Sequence, residues 1–381
     1  MAKHVNGWAR RRYGRLRDVD GASCAYRDTQ KAPVAFGYRP GHSPCQPYAL
    51  SNASAMSTIG SVDTHNREER ALLAILGRIL EAMRLRIDLS YDGGAFHGWA
   101  RQPGLRTVQG VLEDTLAMLL RLPAGDTPRV TVAGRTDTGV HALGQVCHVD
   151  IAQEILDSCI GHMNVNGVQA LHRRLMHVLP DDIAIQSVSI APEGFDARFS
   201  ALDRTYVYRI SDAGRPVDPR MRGFVLAVSD TLDCDLMNQA AAMTIGLHDF
   251  GSFATPNPGG TTIREVKRAH WDRIGVSALA PSTSDDAGWK VPTVESGLVC
   301  FTIVADAFAH NMVRSLVNAC VQVGRGRKTL DWFNHKMDEP IREGSTGPIA
   351  ACGLTLEHVE YPQDDQLAVR AAAIRAKRTL E

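Results

Sequence analysis

Gly134-Arg135-Thr136-Asp137-Thr138-Gly139-Val140-His141 sets a carboxylate, a guanidinium, two hydroxyls and an imidazole around two glycines. Glycine reaches backbone angles that other residues avoid and lets a ligand approach the main chain closely. Just before the octapeptide, residues 129–133 (Arg-Val-Thr-Val-Ala) read as a strand. Just after it, residues 145–150 (Gln-Val-Cys-His-Val-Asp) alternate as a second one. Asp137 is therefore expected on a tight loop at a sheet edge with rigid flanks, which is how functional groups are often carried.

Taken alone, the loop has two plain readings. One is a polar turn, since these residue types favour turns in general. The other is an aspartic-protease loop, which shares the Asp-Thr-Gly signature and needs two carboxylates holding one proton between them. The chain has no second Asp-Thr-Gly or Asp-Ser-Gly, so a homodimer would have to supply the partner. The polar Gly-Arg-Thr lead-in also fits such a loop badly.

Composition bounds the choice. The 381 residues are 44% hydrophobic and 22% charged, the make-up of an ordinary globular protein with room for a sizeable core. Formal net charge is +0, so any surface for nucleic acid must be local. The eight cysteines include no Cys-x-x-Cys pair, which points to reduced thiols in a cytosolic protein. No apolar run approaches the roughly 20 residues that span a bilayer.

Residues 1–82 are rich in Arg, Ser, Pro and Gly and read as a mostly disordered extension. Within them, 68–83 has a helical pattern. From Leu85 the signals sharpen: Leu85, Ile87, Leu89 and Tyr91 alternate as a half-buried strand. Thr107 caps a helix with Val108, Leu112 and Leu116 on one face. A helix is expected over 165–179 and a strand over 183–190. Arg204-Thr205-Tyr206-Val207-Tyr208-Arg209-Ile210 reads as a strand with its tyrosines on one face. Arg198, Arg204 and Arg209 crowd the same region, and an aromatic beside guanidinium groups is one way to hold an unstacked base. Asp233 caps another helix. Strands at 263–274 and 298–305 form a hairpin around a polar insert, 281–288. The run Phe308-Ala309-His310-Asn311-Met312-Val313-Arg314 opens a helix reaching Gly324, and residues after Pro362 read as a solvated tail.

Four stretches, in order and spacing, now carry a resemblance: Gly98-Trp99-Ala100-Arg101-Gln102, the octapeptide 134–141, residues 195–208, and 308–314. With Gly347-Pro348-Ile349-Ala350-Ala351-Cys352-Gly353-Leu354, the chain from about 83 to 362 resembles the tRNA pseudouridine synthases of the TruA family. Thr261-Thr262-Ile263-Arg264 is similar to actinobacterial members. The resemblance implies an α+β pseudouridine synthase fold, with two similar α/β halves (83–192 and 193–362) that carry antiparallel sheets around a basic cleft. It implies isomerisation of uridine to pseudouridine at positions 38, 39 and 40 of the tRNA anticodon arm. The partners it implies are tRNA and a second copy in a homodimer; no nucleotide, metal or other cofactor is called for.

The family's site residues carry over one by one. Asp137 matches the catalytic Asp, a nucleophile or a stabiliser of cationic character at the sugar. Arg314 matches the Arg that pairs with it. Tyr206 matches the aromatic that stacks on the target uracil and assists proton movement at C5. Arg135 resembles the Arg that helps expel the base from its stack, a step required because ring chemistry cannot proceed inside a helix. Arg101, Arg198, Lys267 and Arg268 are assigned to phosphate contact. Thr138 stands where the family usually has Ala. A rival from another class is a non-catalytic tRNA-binding protein or chaperone on the same scaffold. Keeping Asp137, Tyr206 and Arg314 together weighs against it, since binding alone needs no carboxylate aimed at a base.

Overall fold

A computed structural model describes residues 82–215, 217–257, 259–276, 280–281, 289–290 and 294–374. The expected extension 1–82 falls outside them except at its last residue. Ala82 and Met83 already belong to strand β1 (Ala82–Tyr91), so the helical pattern of 68–83 does not run through to its end.

The first half places α1 (Val108–Leu119), β2 (Thr131–Val132), β3 (His141–Ala152), α2 (Gln153–Asp157), α3 (Gly167–Val178) and β4 (Ile183–Ile190) after β1. The second has β5 (Asp203–Ser211), β6 (Leu226–Ala227), α4 (Cys234–Ala242), β7 (Gly246–Asp249) and β8 (Ile263–Arg273). After these come β9 (Ala280–Pro281), β10 (Trp289–Lys290), β11 (Val299–Ala305), α5 (Met312–Gly324), α6 (Leu330–Asp338), β12 (Leu354–Glu360) and α7 (Leu367–Ile374).

Local chemistry sets the helix starts. The Thr107 and Asp233 side chains accept backbone N–H bonds from the first turns of α1 and α4, and Asn166 does the same for α3. Val108, Leu112 and Leu116 of α1 are fully buried, at the spacing that keeps one helix face on the core.

Each half contributes an antiparallel set of strands, and the two sets run into one sheet of order β4-β1-β3-β12-β5-β11-β8-β7. The seam is β12. It pairs antiparallel with β5, and parallel with β3 only at Thr355↔His141 and Leu356↔Ala142. That seam sets the end of the 134–141 loop one strand away from β5, which carries Tyr206, with β12 between them. On the core face Tyr206, Tyr208 and Ile210 are buried, and Trp271 stacks on Phe301 at 4.7 Å.

Residues 363–381 are not wholly a solvated tail. Leu367 and Ala371 of α7 are buried, and the Leu367 carbonyl accepts from Ser200 Oγ. An Ala-rich charged stretch hid a short amphipathic helix whose apolar contacts lie far away in sequence. Residues 375–381 lie outside the described ones. Among the described residues no helix is long and apolar enough to cross a membrane.

Candidate active site

The Asp137 loop is fixed from both flanks. On its entry side Ala133 N–H donates to Val146 O at 2.8 Å, Gln145 Nε2 donates to Gly134 O at 2.9 Å, and Thr136 Oγ1 shares a hydrogen bond with Tyr91 OH at 2.8 Å. At the turn Val140 N–H donates back to Asp137 O at 3.1 Å, closed by Gly139 at φ +77°. From outside, Trp99 N–H donates to Thr136 O at 3.0 Å.

Gly98 makes this last approach possible. At φ +83°, a Cβ there would stand 2.9 Å from Thr136 O and 3.2 Å from the Asp137 carbonyl carbon. Gly98→Ala therefore strains its own backbone and pushes the Asp137 loop away. A displacement of about 1 Å can cost roughly 100-fold in rate. We expect a loss of that order in kcat with tRNA affinity retained, and a kcat within threefold of wild type would refute it.

Opposite the loop stands the start of α5. Asn311 takes the left-handed conformation (φ 63°), which turns the chain between His310 and the helix. His310 Nε2 lies 3.6 Å from Asp137 Oδ1, and Arg314 Nη1 lies 3.9 Å from Asp137 Oδ2. Arg314 is locked by Ile349 at two points: its Nε donates to Ile349 O at 2.7 Å, and its own carbonyl accepts from Ile349 N–H at 3.2 Å. Arg314, Asn318 and Gln322 form a half-buried polar stripe at helical spacing on an otherwise buried helix, and Asn318 Nδ2 donates to Gly347 O. The segment from Gly347 to Leu354 is thus the backing of the site.

Tyr206 is 7% exposed, with Phe308 edge-on at 5.1 Å between ring centres. Burial pushes its phenol well above the usual range, and the nearby Tyr91 and Asp137 act in the same direction. The hydroxyl therefore stays protonated at neutral pH, able to donate a hydrogen bond rather than to act as a ready base.

The expected residues are thus partly brought together. Asp137 and Arg314 face each other, Tyr206 lies within electrostatic reach of Asp137, and Arg135 on the same loop is exposed. The outer basic residues divide into two groups. Arg101 is held by Glu113 and Asp114 at 2.8 Å each and by Gly110 O, so it pins the 99–102 loop to α1. Lys267 pairs with Asp203 at 2.7 Å. Arg198 stacks on the Phe199 ring, and Arg268 and Arg135 are exposed, all without a carboxylate ion pair among the described residues. Arg204 and Arg209, read as neighbours of an unstacked base, are not free for one. Arg209 is bound by Glu295 and Glu357, and Arg204 is buried among carbonyls. Strand alternation shows which face a side chain takes but not which distant acceptor meets it.

His310 was not singled out in the sequence. It lies outside the helix that carries Arg314, so no periodic pattern linked the two. Two buried histidines serve the backbone: His141 Nδ1 accepts from Gly93 N–H, and His148 Nδ1 from Ala197 N–H. A cavity of about 740 Å³ shares no lining residue with this site; it is lined by Arg84, Asp150, Ile155 and Phe195 among others.

The chain is similar to known proteins. A family model described as tRNA pseudouridine synthase matches residues 240–362. A protein named tRNA pseudouridine synthase A from Bifidobacterium longum (strain NCC 2705) is 64% identical over 301 residues, covering 78% of this chain and 99% of its own. Proteins of the same name from Streptomyces griseus and Cutibacterium acnes are 43% and 44% identical, each across 78% of this chain and 95% of their own.

Proposed function

We infer that this chain, which belongs to the tRNA pseudouridine synthase A family, is a tRNA pseudouridine synthase acting on uridines 38, 39 and 40 of the anticodon arm. The observation that carries the site assignment is a single carboxylate, Asp137, approached on both oxygens by side chains from the opposite half of the chain. A buried tyrosine, Tyr206, lies within electrostatic reach of it.

The chemistry is that of converting uridine to pseudouridine. The N1–C1′ bond breaks, and N1 leaves with the bonding electrons. The uracil turns, and C5 forms a bond to C1′. C5 then gives up its hydrogen as a proton, and N1 of the product carries one, so the change is an isomerisation without net redox change. A carboxylate at the sugar meets the positive character that develops at C1′. Tyr206 offers a face for the extruded uracil. Arg135, Arg198 and Arg268, with no carboxylate ion pair among the described residues, are the groups we assign to RNA contact; Arg101 and Lys267 would first have to leave their carboxylates. We place one tRNA across a homodimer, which lets a chain of zero net charge build a basic channel from two half-surfaces.

The test is release of tritium from tRNA labelled at uridine C5, with the enzyme's sedimentation measured alongside. Release is expected from tRNA bearing uridine at 38, 39 or 40, and none when all three are cytidine. Tight tRNA binding without release would overturn the catalytic reading, and release from the cytidine control would overturn the positions. A purely monomeric active enzyme would remove the dimer.

A further inference from the structure

The direct approaches across the site, 3.6 Å and 3.9 Å, are both longer than hydrogen bonds. Asp137 comes from the first half of the chain and Arg314 from the second, so their separation must be held from behind. One buried side chain touches the exits of both strands that feed them. Arg204 on β5 is 8% exposed. Its Nη1 donates to Asp306 O at 2.5 Å, and its Nη2 donates to Ala133 O and to Arg198 O at 2.8 Å each.

Those acceptors are well placed. Ala133 immediately precedes Gly134, where the Asp137 loop begins. Asp306 immediately follows β11, where the chain sets out for His310 and Arg314. Arg198 belongs to the 195–201 segment that enters β5. Arg204 lies opposite Ala305 of β11 in the sheet, so its guanidinium is carried to that strand's exit by register. The Asp306 carbonyl is itself braced, because Asp306 Oδ1 accepts from Glu265 N–H and Asp306 N–H donates to Glu265 O.

We propose that Arg204 is a positioning residue: its guanidinium clamps the Ala133 and Asp306 carbonyls together and so sets the spacing of Asp137 from Arg314 and His310. This rests on the synthase reading above. The residue type follows from the task. Three carbonyls from three segments need donors on two separate nitrogens in a fixed plane, which guanidinium supplies and a single ammonium cannot. A carboxylate partner would draw the cation to one side; neutral carbonyls let it bridge.

The test measures three quantities on Arg204→Met and Arg204→Lys beside wild type: single-turnover tritium release with enzyme in excess, tRNA dissociation constant, and thermal melting. The clamp predicts a rate loss of about 100-fold for Met and about tenfold for Lys, which keeps the charge and part of the reach. The tRNA dissociation constant should stay within about twofold for both folded variants. Rates within threefold of wild type in folded protein would overturn the clamp. So would a rate loss matched by an equal loss of tRNA affinity or of folded fraction, or failure of both variants to fold, since each marks a general structural role. If only Met fails to fold, Lys decides. A wild type that binds tRNA but releases no tritium would defeat the synthase reading itself, which is distinct from an active wild type with indifferent variants.

Discussion

Asp137→Asn is expected to lower tritium release from C5-labelled tRNA by about four orders of magnitude, the scale on which a lost catalytic carboxylate acts elsewhere. The replacement keeps the shape of the side chain and removes its charge. The loop itself should survive, because its hydrogen bonds to Phe96, Trp99, Val146 and Gln145 run through backbone atoms of neighbouring residues and not through the carboxylate. Asp137 is about a quarter exposed, so its amide counterpart leaves no buried group stranded. Melting temperature and tRNA affinity should therefore hold while the chemistry fails. An Asn variant that retains more than one part in a hundred of the wild-type rate would mean that another group supplies the charge at the sugar.

Arg314→Ala is expected to lower kcat by about 1,000-fold and to destabilise the fold by about 1 kcal/mol, the net worth of hydrogen bonds lost from half-buried acceptors. The two effects have separate origins. The stability loss comes from Ile349 O and Asn311 Oδ1, which accept from Arg314 Nε at 2.7 Å and Nη1 at 3.3 Å. The rate loss comes from removing the guanidinium that faces Asp137 Oδ2. Arg314→Lys separates them. Its ammonium can meet Ile349 O or approach Asp137, but it has no fork to do both, so about 100-fold should still be lost with melting closer to wild type. Rates must be expressed per folded enzyme from a melting or active-fraction measurement. An Ala variant within tenfold of wild type would remove Arg314 from the mechanism.

Much of the chain could be read before any coordinates. The alternation of Leu85, Ile87 and Leu89, the Thr107 and Asp233 caps, the strand at Ile183–Ile190 and the hairpin of β8 with β11 all appear as read, within a residue or two at the ends. These are local facts: side-chain period and cap chemistry act over a few residues and survive in the sequence. The octapeptide was legible for the same reason, since two glycines between strand patterns leave little choice but a tight loop. Met312 is core, as a helix with one narrow polar stripe requires.

What the sequence by itself determined was the set of local elements, their apolar faces, the loop carrying Asp137 and the residue types available for chemistry. The tertiary structure alone decided how those pieces meet. Two paired positions between β12 and β3 merge the sheets of both halves, too short a match to leave any pattern. The burial of Leu367 depends on a surface built by distant residues. The assignments of the basic residues depend on acceptors 71 and 102 positions away for Arg204, and 86 and 148 for Arg209. Charge is visible in a sequence, but its partner is chosen by distance in space. For this reason Arg101 and Arg204 are tied to groups within the protein, Arg135 and Arg268 are exposed, and His310 faces Asp137 unannounced.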